Sequence, residues 1–310
     1  MIYYVNTIDG YKQAITYLKD MAIMGIDTET TGIDPYQSRI LLLQMGDTTH
    51  QYVFDVFLLQ ELGIDFSEIK SLLECPDIVK VGHNIGFDYK MLKVNLNIEL
   101  ENIFDTMIAE YLLTKGAKLS GFGLADVLGK YGIDENMTKE IRTSFITHLP
   151  GTDFITEQIQ YAGRDVQNLI PLARQLYRLL KNDDMVDLIE LENETVLVTA
   201  DMELAGIYLD KTEWSKLAET AVIKRDVAHN ILKSFIPENF DVVELLPEKT
   251  KEKVKKKKGK QESLKLDVAT TININFSSPI QVAGFLKTIT GKSPTDTNEK
   301  TLYKTYRQAD

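Results

Sequence analysis

The sequence contains almost no cysteine and no long apolar segment, and each shortage excludes a class of protein. Cys75 is the one cysteine in 310 residues, so the chain cannot form an internal disulfide, which fits a reducing compartment. Its apolar runs are far shorter than the ~20 residues that a membrane-spanning helix needs. The first residues lack a basic region followed by an apolar one, so we predict no signal peptide, no membrane partner and a cytoplasmic location.

Positive charge is also in short supply. The chain has 35 lysines and arginines against 46 aspartates and glutamates, which gives a formal net charge of −11. Because surfaces that bind nucleic acid are usually basic, this balance by itself argues against such a partner. The argument weakens if the acidic residues cluster to hold divalent cations, or if the basic residues are gathered in one segment, and the sequence has signs of both.

The length and composition predict a soluble globular protein with two domains. A chain of 310 residues fits two domains of ~150 residues each, and 44% hydrophobic with 26% charged residues is ordinary for such proteins. Short and almost continuous apolar runs predict strands that are covered on both faces. These runs lie at residues 21–27, 39–46, 50–56 and 77–84.

Helical periodicity dominates the rest of the chain. It predicts helices at residues 66–74, 87–96, 105–113 and 120–129, and a longer one over 156–181 with Pro171 as the site of a kink. Strands followed mainly by helices predict an α/β domain that spans residues 1–185. We expect residues 186–310 to form a mainly helical segment, interrupted by a polar stretch at 247–262 with eight lysines, which cannot bury a core.

Acidic side chains occur in three separate motifs. Asp27 and Glu29 lie two residues apart on a predicted strand, so they point to the same face. Asp88 lies in the first turn of a predicted helix, whereas Tyr161 and Asp165 are four residues apart on another and share one side of it. Each motif alone also fits a structural role, such as solvated acids at a strand end or an acid that the helix dipole favours.

Taken together, the motifs predict a metal site. Carboxylates from separate segments can bind two hard divalent cations, Mg²⁺ or Mn²⁺. Two such ions ~4 Å apart can activate a water molecule and stabilise the leaving oxygen of a phosphodiester. Without metal, the same carboxylates would repel one another strongly. The predicted metal ligands are Asp27, Glu29, Asp88 and Asp165.

The three motifs resemble the signature motifs of the DEDDy 3′–5′ exonucleases. They are GIDTETTG at 25–32, GHNIGFD at 82–88 and YAGRD at 161–165. The resemblance implies an α/β fold of the ribonuclease-H-like type, with a mixed central sheet flanked by helices. Because a tyrosine stands four residues before the last aspartate, the sequence is similar to the tyrosine subclass.

The resemblance also implies a role for each residue. Asp27, Glu29 and Asp165 would hold the first ion, Asp27 and Asp88 would hold the second, and Tyr161 with Glu29 would orient the attacking water. Since the unperturbed pKa of tyrosine is ~10, Tyr161 need not lose its proton, and we expect it to position the water. The residues expected to contact the terminal nucleotide are Thr28, Ile33 and Asn84.

The second segment resembles part of a family A DNA polymerase. Residues 191–210 are similar to the stretch that follows the proofreading domain, and residues 274–286 are similar to the thumb region. The resemblance implies that the lysines of 247–262 lie near a thumb tip and contact DNA phosphates, with a solvated loop that binds no partner as the alternative. The resemblance does not extend to a palm or fingers, so we expect no polymerase activity from this chain alone. It would be either a fragment or one half of a split polymerase whose palm and fingers lie on another chain.

We therefore predict a proofreading-type exonuclease that removes nucleotides from single-stranded or frayed DNA 3′ ends. Two alternatives stay open at this point. Enzymes of the ribonuclease D type share the motifs and process RNA 3′ ends. A third possibility is that the fold serves only as an inactive scaffold for a polymerase subunit.

Overall fold

A six-stranded mixed sheet is the centre of the first of two structural units, which comprise residues 1–208 and 209–310. The structure is a computed structural model that describes residues 1–115, 117, 121–133, 139–236, 274–292 and 294–306. The strands are β1 (Ile2–Val5), β2 (Ile23–Thr30), β3 (Ile40–Gly46), β4 (Gln51–Asp55), β5 (Val79–Gly82) and β6 (Ile103–Asp105). Their order across the sheet is β1-β4-β3-β2-β5-β6. β3 runs antiparallel to both of its neighbours, and the other pairs are parallel.

Helices flank this sheet. They are α1 (Ile8–Leu18), α2 (Val56–Glu61), α3 (Ser67–Leu73), α4 (Gly86–Leu96), α5 (Thr106–Leu113), α6 (Leu124–Lys130), α7 (Lys139–Ser144), α8 (Thr156–Gln167), α9 (Leu169–Asn182) and α10 (Val186–Ala205). None of the helices in the described part of the chain is long and apolar enough to cross a bilayer. The predicted fold class, a mixed sheet flanked by helices, is confirmed.

The strands are apolar because both faces of the sheet are covered. Every residue of β3 and β4 is buried, as the continuous apolar runs predicted. Since successive strand residues face opposite sides, Met24 and Ile26 of β2 pack in a core with α1, α3 and α4. Gly25 and Asp27 face the other side, where Val166 and Leu169 lie against Gly25. Asp27 and Glu29 thus point towards α8, and Thr28 points towards α4.

One prediction about the helices needs correction. The pattern over 156–181 forms two helices, α8 and α9, which meet at Asn168 rather than one helix kinked at Pro171. Proline lacks an N–H, and its ring clashes with the carbonyl group four residues earlier, which here belongs to Gln167. The helix therefore ends at Gln167 and a new one starts at Leu169.

In addition, β2 continues to Thr30, three residues beyond the predicted strand.

Helix α10 belongs to the first unit, although the sequence placed it in the second segment. It packs against α4, α5, α9 and β6. Ile189, Asn193 and Ala200 of α10 are buried there. The helix ends at Ala205 and is followed by Gly206, whose φ of 66° suits glycine, and the unit ends at Tyr208. The boundary expected at residue 185 thus falls inside one structural unit.

The second unit is helical in its described residues, as predicted. It contains α11 (Lys211–Ser234), α12 (Pro279–Thr290) and α13 (Glu299–Tyr306). Asp210 caps α11 by accepting hydrogen bonds from the N–H groups of Thr212 and Glu213. A small core joins Ile236, Ile274, Phe276 and Phe285. The lysine-rich stretch at 247–262 lies outside the described residues.

Candidate metal-binding and catalytic site

Three of the predicted carboxylates form a cluster where β2 meets α8. Asp27, Glu29 and Asp165 each offer a carboxylate oxygen, and these three oxygens lie within 4.8 Å of one another. Glu29 is only 8% exposed and Asp165 only 5%, so two of the three charges are shielded from water. Buried negative charges this close together repel one another unless a cation neutralises them. The all-oxygen donor set suits hard divalent cations such as Mg²⁺ or Mn²⁺.

Two glycines bring α8 close enough to the sheet to complete this cluster. A Cβ atom at Gly25 would lie 2.9 Å from the Val166 side chain and 3.0 Å from its carbonyl oxygen. A Cβ atom at Gly163 would lie 2.7 Å from the side chain of Ile2. Real Cβ atoms rarely approach other atoms so closely, so a larger residue at either position would force a neighbouring atom or α8 itself to shift. The close approach carries Asp165 to the carboxylates of β2.

Asp88 approaches from the opposite face of the sheet. It is the third residue of α4, it is 3% exposed, and its carboxylate accepts a 2.6 Å hydrogen bond from the Thr28 hydroxyl. Burial, followed by the negative charge of Asp27, raises the pKa of Asp88 well above its ordinary value. A bound divalent cation acts in the opposite direction, because it stabilises the ionised carboxylate.

The segment that leads into α4 is held by a residue that sequence reasoning missed. The carboxylate of Asp105 accepts hydrogen bonds from the backbone N–H groups of Asn84 and Ile85, at 3.0 and 2.9 Å. The same carboxylate caps α5 through the N–H groups of Met107 and Ile108. Asp105 is fully enclosed and serves two elements at once. The signal was present, since an aspartate between a strand and a helix is a typical N-cap.

Tyr161 lies one turn before Asp165 on α8, as the spacing predicted. Its ring is half-buried and packs against Phe145, with the ring centroids 6.3 Å apart. Tyr161 thus lies on the same helix as Asp165 but is less buried.

The three predicted nucleotide contacts occupy different surroundings. Ile33, in the loop after β2, is 87% exposed. Asn84 is also exposed, and its backbone has a φ of 60°, in the left-handed region that asparagine tolerates. Thr28, in contrast, is buried with its hydroxyl engaged by Asp88. Ile33 and Asn84 are accessible to a ligand, whereas the side chain of Thr28 is not.

Gln44 is a second residue that sequence reasoning missed. It stands directly opposite Asp27 in the β2–β3 ladder and is 0% exposed. Neither its amide nitrogen nor its amide oxygen has a hydrogen-bond partner among the described residues. A buried polar group in that situation costs about 1–3 kcal/mol of stability. The signal in the sequence is one glutamine within the apolar run of 39–46.

The structure combines a mixed α/β sheet with a cluster of three carboxylates from β2 and α8. Residues 2–181 match the family described as 3′–5′ exonuclease. This chain therefore belongs to the 3′–5′ exonuclease family.

Its relatives include proteins named for DNA and for RNA. The chain is 33% identical over 177 residues to DNA polymerase I of Aquifex aeolicus, which covers 56% of this chain and 27% of the polymerase. It is 27% identical over 206 residues to ribonuclease D of a Shewanella strain, covering 65% of this chain and 50% of that protein. Among solved structures, RNase D of Escherichia coli superposes with a TM-score of 0.56 at 20% identity, over 65% of this chain and 51% of that one. The last similarity is one of fold alone.

The lengths of these relatives differ from the length of this chain. It spans about a quarter of the polymerase and half of the ribonuclease D. Family membership therefore establishes an exonuclease domain.

Proposed function

We propose that this protein hydrolyses phosphodiester bonds at DNA 3′ ends by a two-metal-ion mechanism, as the proofreading-type part of a family A DNA polymerase. The observation that carries the proposal is the cluster of Asp27, Glu29 and Asp165, whose carboxylate oxygens lie within 4.8 Å of one another. Asp88 adjoins it through Thr28 and through the charge of Asp27. Bound cations would relieve the repulsion between acids that are packed so closely and partly buried.

In this proposal each carboxylate has a defined task. Asp27, Glu29 and Asp165 would hold one Mg²⁺ or Mn²⁺ ion, and Asp27 with Asp88 would hold the other. When bound, two such ions promote ionisation of the attacking water and stabilise the leaving oxygen. Asp27 would be the shared ligand, because it belongs to the cluster and its charge also acts on the carboxylate of Asp88.

The attacking water is oriented by Glu29 and Tyr161. Glu29 can accept a hydrogen bond from that water, and the Tyr161 hydroxyl can either donate one or accept one. Tyr161 stands beside the cluster because it precedes Asp165 by one helical turn. Packing of its ring against Phe145 limits the positions that the hydroxyl can take. Tyr161 acts by positioning the water.

The terminal nucleotide contacts Ile33 and Asn84. An isoleucine that is 87% exposed offers an apolar surface for the base or sugar of an unpaired end. Asn84 presents an amide close to α4, on a segment that Asp105 fixes. The Thr28 hydroxyl is committed to Asp88, so the predicted contact of Thr28 would involve its backbone.

The choice of DNA over RNA rests on the similarity to DNA polymerase I, at 33% identity. The alternative of RNA 3′-end processing is favoured by the ribonuclease D relative, whose alignment covers more of this chain. The inactive scaffold is the least favoured function, since all four predicted carboxylates are present and three of them lie together.

The test compares two 5′-labelled oligonucleotides of one sequence, one in DNA and one in RNA, in excess Mg²⁺. The 2′-hydroxyl is the main feature by which a protein tells the two apart. Faster shortening of DNA supports the proposal, and faster shortening of RNA supports the alternative. If neither oligonucleotide is shortened although calorimetry detects Mn²⁺ binding, the inactive scaffold would be the function indicated. Glu61→Ala, at an exposed acid of α2, is the control for removal of a carboxylate.

A further inference from the structure

We infer that α10 is a positioning element of the exonuclease site, and that the binding of a cation by Asp88 depends on it. The inference rests on the proposed function in assigning Asp88 to a cation. The match to the exonuclease family ends at residue 181, and α10 begins at Val186. The support therefore comes from a part of the chain that the family match does not include.

The first contact of α10 holds the segment before α4. Asn193 is buried, and its side-chain oxygen accepts a 3.1 Å hydrogen bond from the backbone N–H of Asp105. The carboxylate of Asp105 in turn accepts from the N–H groups of Asn84 and Ile85. A chain of buried hydrogen bonds thus runs from α10 to within three residues of Asp88.

The second contact holds α4 itself. The Asp201 carboxylate accepts 2.8 Å hydrogen bonds from the hydroxyl of Tyr89 and from the ammonium group of Lys93. Tyr89 is the residue after Asp88, and its ring is buried in the core. Lys90, on the next position of α4, forms an ion pair with Glu203. Rotation of α4 about its axis would break these contacts, so α10 fixes the direction in which Asp88 points.

Backbone contacts add to these side-chain contacts. A Cβ atom at Gly86, the first residue of α4, would lie 3.2 Å from Val196 of α10, so the glycine allows a close approach. The carbonyl oxygen of Leu204 accepts a 2.7 Å hydrogen bond from the hydroxyl of Tyr36. Tyr36 lies in the loop that carries Ile33. The same helix therefore reaches both segments that are proposed to contact the nucleotide.

These contacts act on one part of the site. Asp27, Glu29 and Asp165 lie on β2 and α8, which are fixed by strand pairing and by the close approach at Gly25. Asp88 lies on α4, whose orientation depends on Asn193 and Asp201, about 12 Å apart along α10 at 1.5 Å per residue. Loosening α10 should lower the affinity for the cation at Asp88 and leave the affinity for the cation at the other carboxylates unchanged.

The experiment uses the full chain with Asn193→Ala and Asp201→Ala combined. Asp201→Asn retains an oxygen that accepts the same two hydrogen bonds, and Glu194→Ala removes an exposed acid from the same helix as a control. Three quantities are measured without nucleic acid: Mn²⁺ binding by calorimetry, hydrogen exchange of the amides at 84–92 without metal, and the melting temperature.

We expect the double variant to bind the weaker Mn²⁺ ion about 10- to 100-fold less tightly, as is typical when groups that orient metal ligands are removed. Its amides at 84–92 should exchange faster. With Asp201→Asn in place of Asp201→Ala, most of the affinity for the weaker Mn²⁺ ion should return. Glu194→Ala should bind Mn²⁺ as the wild type does.

Unchanged Mn²⁺ affinity and exchange in a folded double variant would overturn the inference. So would equal weakening of both ions with a large fall in melting temperature, since that is the result of a merely structural role. A wild-type protein that binds no Mn²⁺ would also overturn it. A wild type that binds Mn²⁺ but cleaves no DNA would refute the proposed function and leave the inference standing.

Discussion

The two faces of the sheet contribute to the candidate site in different ways. On one face, Asp27, Glu29 and Asp165 are placed by backbone features, namely strand alternation and the close packing of α8 on Gly25. On the other face, Asp88 is placed by side chains, with Thr28 as its donor and Asp201 holding the neighbouring Tyr89. The backbone-placed part should tolerate the loss of single hydrogen bonds, whereas the side-chain-placed part should not.

Removing the backbone-placed part should have the largest effect. Asp27→Ala combined with Glu29→Ala should lower the hydrolysis rate by about 10³-fold or more, since ~4 kcal/mol of transition-state stabilisation is lost with the cations. The melting temperature should not fall, because two mutually repelling acids are gone. A single-turnover assay and a thermal melt measure the two quantities. An active double variant would refute the site.

Thr28→Val tests the side-chain-placed part. The variant keeps the shape of the side chain but removes the hydroxyl that donates to the buried carboxylate of Asp88. We expect the free energy of unfolding without metal to fall by about 1–3 kcal/mol, as for other buried acceptors that lose their donor. Urea denaturation measures it. Thr28→Ser, which retains the hydroxyl, should stay close to the wild type, and equal stability of the two variants would contradict the account.

Gly25→Ala tests whether close packing places Asp165. The added methyl group would lie about 3 Å from Val166, so α8 must shift or strain, which destabilises a core by about 1–3 kcal/mol. We also expect weaker Mn²⁺ binding, measured by calorimetry. Gly129→Ala is the control. A Cβ atom added at Gly129 would meet open space, and alanine in place of glycine within a helix should stabilise the protein slightly. Full Mn²⁺ affinity in Gly25→Ala would show that the close packing of α8 on Gly25 is not needed for metal binding.

The smallest expected effect concerns Gln44, which lies opposite Asp27. Gln44→Met keeps the length of the side chain and removes two buried polar atoms that lack partners among the described residues. The free energy of unfolding should rise by about 1 kcal/mol. Denaturation in urea without metal measures it, with Gln44→Asn as the comparison that keeps the amide. Destabilisation by methionine would mean that the amide makes a stabilising contact.

The same contrast explains what the sequence could and could not predict. Strand alternation and helical spacing are local. They therefore predicted that Asp27 and Glu29 point to the same face of a strand and that Tyr161 lies one helical turn before Asp165. The apolar runs predicted the buried strands, and together with the helical periodicity they predicted an α/β domain. The mixed sheet was implied by the family resemblance. A short strand such as β1 carries too few residues to show a period, and it was not predicted.

Contacts between distant segments left little trace in the sequence. Asn193 and Asp105 are 88 residues apart in the sequence, and no pattern in the sequence marks their contact. Helix α10 was therefore assigned to the second segment. Asp105 has a local signal as an N-cap, but its bonds to Asn84 and Ile85 depend on the pairing of β5 with β6. The assignment of residues 186–310 to a partial polymerase thumb stays a prediction.

The most direct test of the central claim follows a 5′-labelled single-stranded DNA in Mg²⁺ and, separately, in EDTA. We predict a ladder that shortens one nucleotide at a time from the 3′ end in Mg²⁺ and an intact strand in EDTA. Early release of the label as a mononucleotide, internal cuts, or equal cleavage in EDTA would contradict a metal-dependent 3′–5′ exonuclease that acts through Asp27, Glu29, Asp88 and Asp165.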